Sequence, residues 1–311
     1  MKLVVTGGAG FIGSHISDAL LSAGHEVHVI DNLSGGKLEN VPSAAIFHEF
    51  DIRSEAAARL LMEEGFDAMI HHAAQMDVRK SVADPAFDAD VNIIGFLSLM
   101  EATHKSGLRK VVFASTGGAI YGEPEFTPQD ENHPVRPVSP YGIAKLATEK
   151  YLHFYRVAYG IEYVALRYGN VYGPRQNPHG EAGVVAIFAE RMLKNEAVFV
   201  NGSGEQTRDY VYVADVVRAN LAALAHEGSG IFNVGTGVET DVNHLFKQIR
   251  TLTGSPIPET HADAQPGEQM RSVLGCDLAA SELEWRPTVL IDEGLSNTVN
   301  WFAGRINAPS T

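Results

Sequence analysis

A glycine-rich turn near the start of the chain constrains the fold more than any other feature of the sequence. Residues 3–5 are apolar and mostly β-branched, which is typical of a buried strand. Residues 11–23 carry apolar side chains at near-helical spacing, and residues 25–30 again resemble a strand. Three glycines lie where the first strand-like segment meets the helix-like one: Gly7, Gly10 and Gly13. The segment therefore predicts a strand, a tight turn, a helix and a second strand.

Each glycine of this turn has a physical role in binding a dinucleotide. Gly7 allows the tight turn, Gly10 lets the backbone approach a pyrophosphate, and Gly13 lets the helix pack on the strand. The helix N-terminus offers N–H groups and a partial positive charge to the phosphates. Asp31 ends the second strand, where a carboxylate accepts hydrogen bonds from the adenosine ribose. Because no Arg or Lys adjoins Asp31, NAD is favoured over NADP. The alternative is a turn that serves packing alone.

The following part of the chain alternates strand-like and helix-like segments. Strand-like runs occupy residues 44–47, 68–72, 110–114 and 162–166, and residues 91–103 have the pattern of a helix. Such alternation predicts an α/β fold, a doubly wound parallel (Rossmann) sheet with helices on both faces. Ligands of such sheets bind at the carboxyl ends of the strands.

The sequence changes character after Arg167, where the alternation loosens. Glycine and proline become dense there, at Gly169, Gly173, Pro174, Pro178 and Gly180. We therefore predict an NAD-binding Rossmann domain over residues 1–167. Residues 168–311 are predicted to form mainly a smaller α/β substrate-binding lobe, with some segments that return to the Rossmann sheet.

Composition bounds the class of protein. The 311 residues are 45% apolar, which is enough for a sizeable core, and no apolar run reaches membrane-spanning length. The formal net charge of −14 argues against nucleic acid as a partner and requires local cations for any anionic substrate. Cys276 is the only cysteine and the N-terminus lacks a signal-peptide pattern, so we expect a cytoplasmic protein. We expect no metal site: His71 and His72 end a strand-like run, and the other histidines lack metal-ligand spacing.

A tyrosine and a lysine four residues apart carry the chemistry. Pro140 suits the first turn of a helix, so Tyr141 and Lys145 lie on one helix face. A tyrosine with a pKa of about 10 is a poor base, but a nearby ammonium and an oxidised nicotinamide favour the phenolate. Ser115 and Thr116 follow a buried strand and are candidates to hydrogen-bond a substrate hydroxyl or the phenol. Such a set removes a proton from an alcohol while a hydride leaves its carbon. The alternative is a surface helix with an ordinary Tyr and Lys.

Several motifs follow one another along nearly the whole chain. They occupy residues 6–13, 31–34, 51–52, 72–75, 115–122, 139–145, 167–175 and 208–213. In this order they resemble the extended short-chain dehydrogenase/reductases, most closely the UDP-glucose 4-epimerases of that family. The resemblance implies an NAD-dependent isomerase that inverts C4 of UDP-glucose or UDP-galactose through a transient 4-keto sugar. The alternatives are another nucleotide-sugar epimerase, a reductase, a dehydratase or decarboxylase, or a non-catalytic NAD sensor.

The resemblance also implies which residues hold NAD. Asp31 and Asn32 hold the adenosine ribose, and Lys145 holds the nicotinamide ribose. Asp51 and Ile52 hold the adenine. The further cofactor residues are Gly7, Gly10, Phe11, Ile12, Gly13, Ser34, Ala73, Ala74, Gln75, Asn92 and Tyr168. For Asn92 the alternative is a buried helix asparagine bonded to backbone.

Catalytic and substrate roles follow from the same resemblance. Tyr141 is the base, and Tyr168 with Asn170 borders nicotinamide and substrate. Arg208 grips the nucleotide diphosphate, since an Arg fork matches phosphate oxygens. Near the sugar C2 substituent the family carries a residue whose size sets the substrate range, and the candidates here are Ser272 and, second, Leu274. Neither is aromatic, so UDP-N-acetylglucosamine is predicted to be accepted. The alternative is that Ser272 only caps a turn.

Two departures from the family pattern matter. Gly117, Gly118 and Ala119 stand where related dehydratases and decarboxylases carry acids, which weakens those alternatives. The same segment is one residue longer than the common epimerase form, so the catalytic hydroxyl is either Ser115 or Thr116, and the spacing to the base favours Thr116.

The second departure concerns phosphate binding. Gln265 stands where relatives often carry an arginine that binds phosphate. Either Arg271 substitutes for it or diphosphate binding is weaker.

The resemblance further implies a homodimer that buries helix residues 91–103 and 141–159. The apolar side chains proposed for this interface are Val91, Ile94, Phe96, Leu99, Leu146 and Phe154. The alternative is that these residues belong to the core.

Overall fold

Seven parallel strands form the central sheet of the protein. The fold is described from a computed structural model. The structure describes residues 1–179, 183–264 and 269–307. Its strands are β1 (Lys2–Thr6), β2 (Glu26–Asp31), β3 (Ile46–Glu49), β4 (Ala68–His71), β5 (Lys110–Thr116), β6 (Glu162–Tyr168) and β10 (Gly230–Val234). Their order is β10-β6-β5-β4-β1-β2-β3, and every neighbouring pair is parallel.

Helices cover both faces of this sheet. One face packs against α1 (Phe11–Ser22) and α9 (Val213–Ala225), and the other against α2 (Glu55–Glu64), α5 (Phe96–Thr103) and α7 (Pro140–Tyr159). Alternate residues of a strand point to opposite faces, so in β1 Leu3 and Val5 join the first cluster while Val4 joins the second. The predicted fold class, a doubly wound α/β sheet, is confirmed.

A second group of elements surrounds a separate apolar cluster. Its strands are β7 (Asn170–Tyr172), β9 (Thr207–Tyr212) and β11 (Glu239–Asp241), which form one sheet, and β8 (Val200–Asn201) and β12 (His261–Ala262), which pair with each other. Its helices are α8 (Val184–Leu193), α10 (Val242–Thr253) and α12 (Ile291–Asn307). Phe188, Phe246 and Phe302 lie at its centre. Because β10 pairs with β6, part of the chain after residue 167 also belongs to the large sheet.

Short helical segments complete the described chain. They are a 3-10 turn at Leu38–Asn40, α3 (Val78–Ala83), α4 (Pro85–Ala89), a π-helical segment at Asp90–Gly95, α6 (Gly117–Ile120) and α11 (Asp277–Glu282). The helix predicted over residues 91–103 is therefore a π-helical segment followed by α5. Within the described ranges, no helix has the combination of length and apolarity needed to cross a membrane.

The topology opens a crevice at the carboxyl ends of β1 and β4. These strands are neighbours, yet the chain runs from β1 outward to β3 before it returns to β4. The connections after β1 and β4 therefore leave in opposite directions, and such a switch point is where open α/β sheets bind ligands. A β-carbon on Gly7, after β1, would lie 2.6 Å from the backbone nitrogen of Ala73, after β4, so the two connections touch.

Candidate active site

The glycine turn has the geometry that its sequence predicts. Gly7 has a φ of +72°, which L side chains rarely adopt, and its N–H donates to the carbonyl of Ile30 at 2.8 Å. A β-carbon on Gly13 would collide with the carbonyl oxygen of Gly7, so the helix approaches the turn too closely for any side chain. Phe11 and Ile12 form the first residues of α1, directly after Gly10, its N-cap. The helix N-terminus thus faces the crevice with its leading N–H groups.

Asp31 lies at the end of β2, beside the glycine turn. It is largely buried, and its Oδ2 accepts from the Ala9 N–H at 3.0 Å while its Oδ1 accepts from the Leu33 N–H at 2.8 Å. Burial raises the pKa of the Asp31 carboxyl, against the effect of these two bonds. A carboxylate has about four acceptor sites, so these bonds leave capacity for ribose hydroxyls.

The residues predicted to surround the adenine form one connected group. Asn32 donates from Nδ2 to Asp51 Oδ2 at 3.0 Å and accepts at Oδ1 from the Ser34 hydroxyl at 2.6 Å. Arg53 binds both oxygens of Asp51 and holds the pKa of that carboxyl well below its usual range. Ile52 is buried next to them. Because Arg53 is engaged by a carboxylate, it offers little free charge to a ribose 2′-phosphate, which agrees with NAD over NADP.

Asn92 clasps the loop that follows β4. Its Oδ1 accepts from the Gln75 N–H and its Nδ2 donates to the Gln75 carbonyl, both at 2.9 Å. In the same loop the Ala73 N–H donates to the Thr6 hydroxyl at 3.3 Å, with Ala74 between these two anchors. The structure shows the backbone bonding that was the alternative for Asn92, so its contact with a cofactor stays a prediction.

Tyr141 and Lys145 lie one turn apart near the start of α7. Ser139 caps this helix by accepting from the Gly142 N–H, and Pro140 occupies its first turn. The Lys145 Nζ donates to the carbonyl of Ala114 at 2.9 Å and lies 5.7 Å from the centre of the Tyr141 ring. The catalytic pair of the sequence analysis is therefore brought to the carboxyl end of β5.

Burial acts on both members of this pair. It lowers the pKa of Lys145 to about 8 and raises the pKa of Tyr141 above its usual range, and the carboxylate of Asp88 raises both. The tyrosine is thus a phenol at neutral pH in the free protein. A cation beside the ring, such as an oxidised nicotinamide, would favour the phenolate.

The two candidate hydroxyls have different surroundings. Ser115 is buried and donates to Glu149 Oε1 at 2.6 Å. Thr116 is the last residue of β5 and is half-buried. A β-carbon built on Gly118 would lie 4.0 Å from the Thr116 hydroxyl and 3.7 Å from Asn170 Oδ1. Thr116 and Asn170 therefore lie near one another at the strand ends, whereas Ser115 is engaged in a structural bond.

A buried ion pair that sequence reasoning missed lies behind these residues. Arg167 donates from Nε and Nη2 to the two oxygens of Glu149, at 3.0 and 2.7 Å, and from Nη1 to the Tyr121 hydroxyl at 3.0 Å. The pair joins β6 to α7 and, through Ser115, to β5. Its only sequence signal was the presence of Arg167 within a family motif.

The Tyr168 hydroxyl is held by two partners. Asn220 donates to it from Nδ2 at 2.8 Å, and His72 Nε2 lies 3.1 Å away. Burial, with a smaller effect of Lys145, lowers the pKa of His72 to about 3. The imidazole is therefore neutral, and its Nε2 shares a hydrogen bond with the phenol. His71 is buried and hydrogen-bonds to Thr6, so both histidines make hydrogen bonds to neighbouring side chains. No cluster of three metal-ligating side chains occurs within the described ranges.

The predicted diphosphate ligands lie in or beside the three-stranded sheet formed by β7, β9 and β11. Arg208 is in β9, opposite Thr240 of β11. Arg271 makes a bidentate pair with Glu239, at 2.9 and 2.7 Å, which lowers the pKa of that carboxyl to about 2. A diphosphate would have to compete with Glu239 for Arg271. Gln265 and the following Pro-Gly-Glu, like Gly180, lie outside the described residues.

The two candidates for the substrate-range position are both buried. Ser272 donates its N–H to the Thr207 carbonyl at 3.2 Å. Leu274 packs against Ile120 and Tyr121, directly after the strand that carries Thr116. Of the two, Leu274 is the one in contact with the segment next to the candidate catalytic hydroxyl.

Comparison with known proteins identifies relatives along the whole chain. Residues 3–235 match the model of the NAD dependent epimerase/dehydratase family. The chain is 48% identical to the UDP-glucose 4-epimerase of Thermotoga maritima, solved with UDP-glucose; the match covers 99% of this chain and 100% of that one, with a TM-score of 0.97. It is 47% identical to the UDP-glucose 4-epimerase of Thermus thermophilus in complex with NAD, covering 98% and 99%, with a TM-score of 0.92.

A third relative is known by sequence. The UDP-glucose 4-epimerase of Mycolicibacterium smegmatis is 45% identical over 312 aligned positions, covering 98% of this chain and 99% of that protein. Together the comparisons confirm the predicted NAD cofactor and the predicted class of enzyme, an NAD-dependent nucleotide-sugar epimerase. The chain belongs to the NAD-dependent epimerase/dehydratase family.

Proposed function

We propose that this enzyme interconverts UDP-glucose and UDP-galactose by inverting C4 of the sugar. The observation that carries the proposal is the position of Tyr141 and Lys145 one turn apart on α7, with the Lys145 Nζ bonded to the Ala114 carbonyl near the carboxyl end of β5. The three relatives described above are named for this reaction, and the alignments with this chain cover 99–100% of each of them.

The residues around the glycine turn fit NAD. No β-carbon fits at Gly7 or Gly13, so the backbone of the turn is bare where a pyrophosphate would approach. Asp31 supplies an acceptor to the ribose at one end of this cradle, and Lys145 supplies a donor to the nicotinamide ribose at the other. When bound, NAD would supply the acceptor for the C4 hydride and the donor for the return of that hydride.

The protein's own residues manage the proton. Tyr141 accepts the proton of the C4 hydroxyl, and Lys145 favours the phenolate because its ammonium lies beside the ring. Thr116 donates a hydrogen bond to the C4 oxygen and so fixes the sugar against the base. The resulting 4-keto sugar turns about the diphosphate, presents its other face, and receives the proton back from Tyr141.

Arg208 and Arg271 are proposed to hold the diphosphate, around which the sugar must turn. Both are cations in a chain whose net charge is strongly negative, so local positive charge is needed to bind the nucleotide. Arginine offers a planar fork that matches two phosphate oxygens. On this proposal Glu239 releases Arg271 when the nucleotide binds.

Water elimination from the sugar is disfavoured by the segment after Thr116. A dehydratase needs a proton donor there, and Gly117, Gly118 and Ala119 have none. Leu274 packs beside Gly117, which leaves an apolar wall in place of an acid.

The experiment is incubation of the purified protein with a panel of UDP- and dTDP-sugars, followed by separation of the products. The proposal predicts UDP-galactose from UDP-glucose and the reverse, without net change in NAD. A dehydrated or decarboxylated product, or no product from any sugar, would contradict it.

We also infer a homodimer through α7 and the π-helical segment. Exposed apolar side chains cluster there: Ile94, Ile143, Tyr151, Phe154, Val157 and Tyr159. Phe96 and Leu99, which were proposed for this surface, instead lie in the core, because α5 turns them toward the sheet. Wild type is expected to have the mass of a dimer at micromolar concentration, and Phe154→Glu that of a monomer. A monomeric wild type would contradict the inference.

The free thiol of Cys276 agrees with a reducing, cytoplasmic location.

A further inference from the structure

Asp88 is a buried carboxylate to which no role in binding or catalysis has been assigned so far. It lies in α4 with 1% of its surface exposed. Its Oδ1 accepts from Gln75 Nε2 at 2.9 Å and from Asn92 Nδ2 at 3.0 Å. These two side chains fix the loop after β4, so Asp88 is tied to the wall of the cofactor crevice.

The second oxygen of this carboxylate is what requires an explanation. Asp88 Oδ2 is buried and has no hydrogen-bond partner among the described residues. A buried charge without a compensating partner is strongly unfavourable. The two amides on Oδ1 are neutral, so a nearby cation would stabilise the buried charge.

Lys145 is the buried cation on the neighbouring helix. α4 packs directly against α7, on which Lys145 lies with 4% of its surface exposed, one turn after Tyr141. The hydrogen bond that Lys145 makes, to the Ala114 carbonyl, is to a neutral group. Asp88 and Lys145 are thus two opposite charges within the same water-excluded region.

The other charged groups on the elements around α4 are paired or exposed. On α7, Glu149 is paired with Arg167, and Lys150 and Arg156 are exposed. On α3, Arg79 and Lys80 are exposed. Asp77 and Asp84 cap α3 and α4, and Asp90 of the π-helical segment pairs with Arg53. His71 and His72, at the end of β4, are neutral because burial lowers the pKa of each. Among the described residues, this leaves the buried Lys145 and the half-buried Tyr141 as the groups on which the charge of Asp88 acts.

We propose that Asp88 is a positioning residue of the active site, whose buried negative charge holds Lys145 as an ammonium and sets the pH range in which the Tyr141–Lys145 pair works. The inference rests on the proposed function, since it assigns Asp88 a role in that reaction. Asp88 contacts neither sugar nor cofactor in this account. It acts through its charge on α7 and through its bonds to Gln75 and Asn92.

The direction of the effect follows from electrostatics. A negative charge favours the protonated form of both neighbours, so Asp88 raises the pKa of Tyr141 and of Lys145 together. The base requires deprotonated Tyr141 and protonated Lys145, which makes the pH profile of kcat/KM bell-shaped. Removal of the charge therefore lowers both limits, and the whole bell moves to lower pH.

The experiment compares the pH profiles of kcat/KM for wild type, Asp88→Asn and Asp84→Asn with UDP-galactose. Asn at position 88 keeps the shape and an acceptor for Gln75, and both limbs are expected to move down by about one pH unit. Asp84→Asn removes the same charge from an exposed N-cap that Asn also forms well, so its profile should match wild type. Asp88→Glu, which keeps the charge but displaces the oxygens, should lose turnover without moving either limb.

The outcomes separate this inference from the proposed function. A wild type without epimerase activity would contradict the proposed function itself. An active wild type together with an Asp88→Asn profile at the same pH values would overturn the inference alone. A folded Asp88→Asn that binds NAD but is inactive at every pH would also overturn it, since tuning by charge moves the profile. If Asp88→Asn does not fold, a shift of either limb in Asp88→Glu would decide against the inference.

Discussion

Leu274 fills the space beside the Cα of Gly117. A β-carbon on Gly117 would lie 2.6 Å from Leu274 Cδ1 and 2.7 Å from Cδ2, closer than real β-carbons approach other atoms. Leu274 is itself fully buried against Ile120 and Tyr121, so it has little room to move. The two residues therefore constrain one another across the segment that follows Thr116.

Substitution of Gly117 by alanine is expected to destabilise the fold. Forcing a methyl group into a packed site typically costs about 1–3 kcal/mol. The measurement is the free energy of unfolding by denaturant for Gly117→Ala, with Gly118→Ala as control, because a β-carbon on Gly118 would meet its nearest neighbour at 3.7 Å. The double variant Gly117→Ala with Leu274→Ala should lose less stability than the sum of the two single changes. Strict additivity would show that the two side chains do not meet.

Ser115→Ala and Thr116→Val should have different effects. Loss of the Ser115 hydroxyl removes a buried bond to Glu149 and is expected to lower stability by about 1–3 kcal/mol, with modest loss of turnover. Thr116→Val keeps the shape of the side chain but removes the hydrogen bond to the C4 oxygen, so kcat should fall by about 10²-fold at nearly unchanged stability. Measuring kcat and thermal stability for both variants separates the roles. A larger loss of kcat in Ser115→Ala would reverse the assignment.

Turnover is expected to fall as the pH rises through about 8. Burial lowers the pKa of Lys145 to about 8, so its ammonium is present below that pH and is lost above it. Without the ammonium, Tyr141 loses the charge that favours its phenolate. Lys145→Arg keeps a positive charge at all accessible pH values, so its alkaline limb should disappear even where its turnover is lower. A wild-type kcat/KM that stays level up to pH 10 would contradict the role of Lys145.

Substrate range tests the position of Ser272. The small side chain predicts that wild type accepts UDP-N-acetylglucosamine alongside UDP-glucose, and that Ser272→Tyr loses the N-acetyl sugar selectively. Ser272→Ala, which removes only a hydroxyl, serves as the matched control and should leave the ratio of the two kcat/KM values unchanged. If wild type rejects the N-acetyl sugar, or if the ratio is the same in Ser272→Tyr, Ser272 does not set the range.

Features that depend on neighbours in sequence could be predicted. The strand, turn and helix around Gly7 and the helix that carries Tyr141 and Lys145 have local signals: apolar periodicity, glycine placement and a proline at the helix start. The strand predicted over residues 44–47 lies at Ile46–Glu49 in the structure. The ends of a strand that adjoins a loop are poorly defined by the sequence, so a shift of two residues is expected. The choice of Thr116 over Ser115 rested on spacing alone, and the hydrogen bond of Ser115 supplies its physical support.

Contacts between distant parts of the chain could not be predicted. Nothing in the sequence pairs Glu149 with Arg167, or Leu274 with Gly117, because these partners meet only through the order of the strands. Asp88 carries no motif, and its burial depends on how α4 docks on α7. The core positions of Phe96 and Leu99 likewise depend on α5 following a π-helical segment, which shifts the helix face relative to a regular helix.

Isotope transfer tests the central claim, transient oxidation at C4, most directly. UDP-glucose that carries deuterium at C4 is incubated with the purified enzyme in ordinary water, and the UDP-galactose formed is analysed by mass spectrometry and NMR. The account predicts that the deuterium is retained at C4 of the product, and that Tyr141→Phe, which lacks the acid–base group, forms the same labelled product about 10²–10⁴-fold more slowly. Loss of the deuterium to water, or near-normal turnover by Tyr141→Phe, would contradict it.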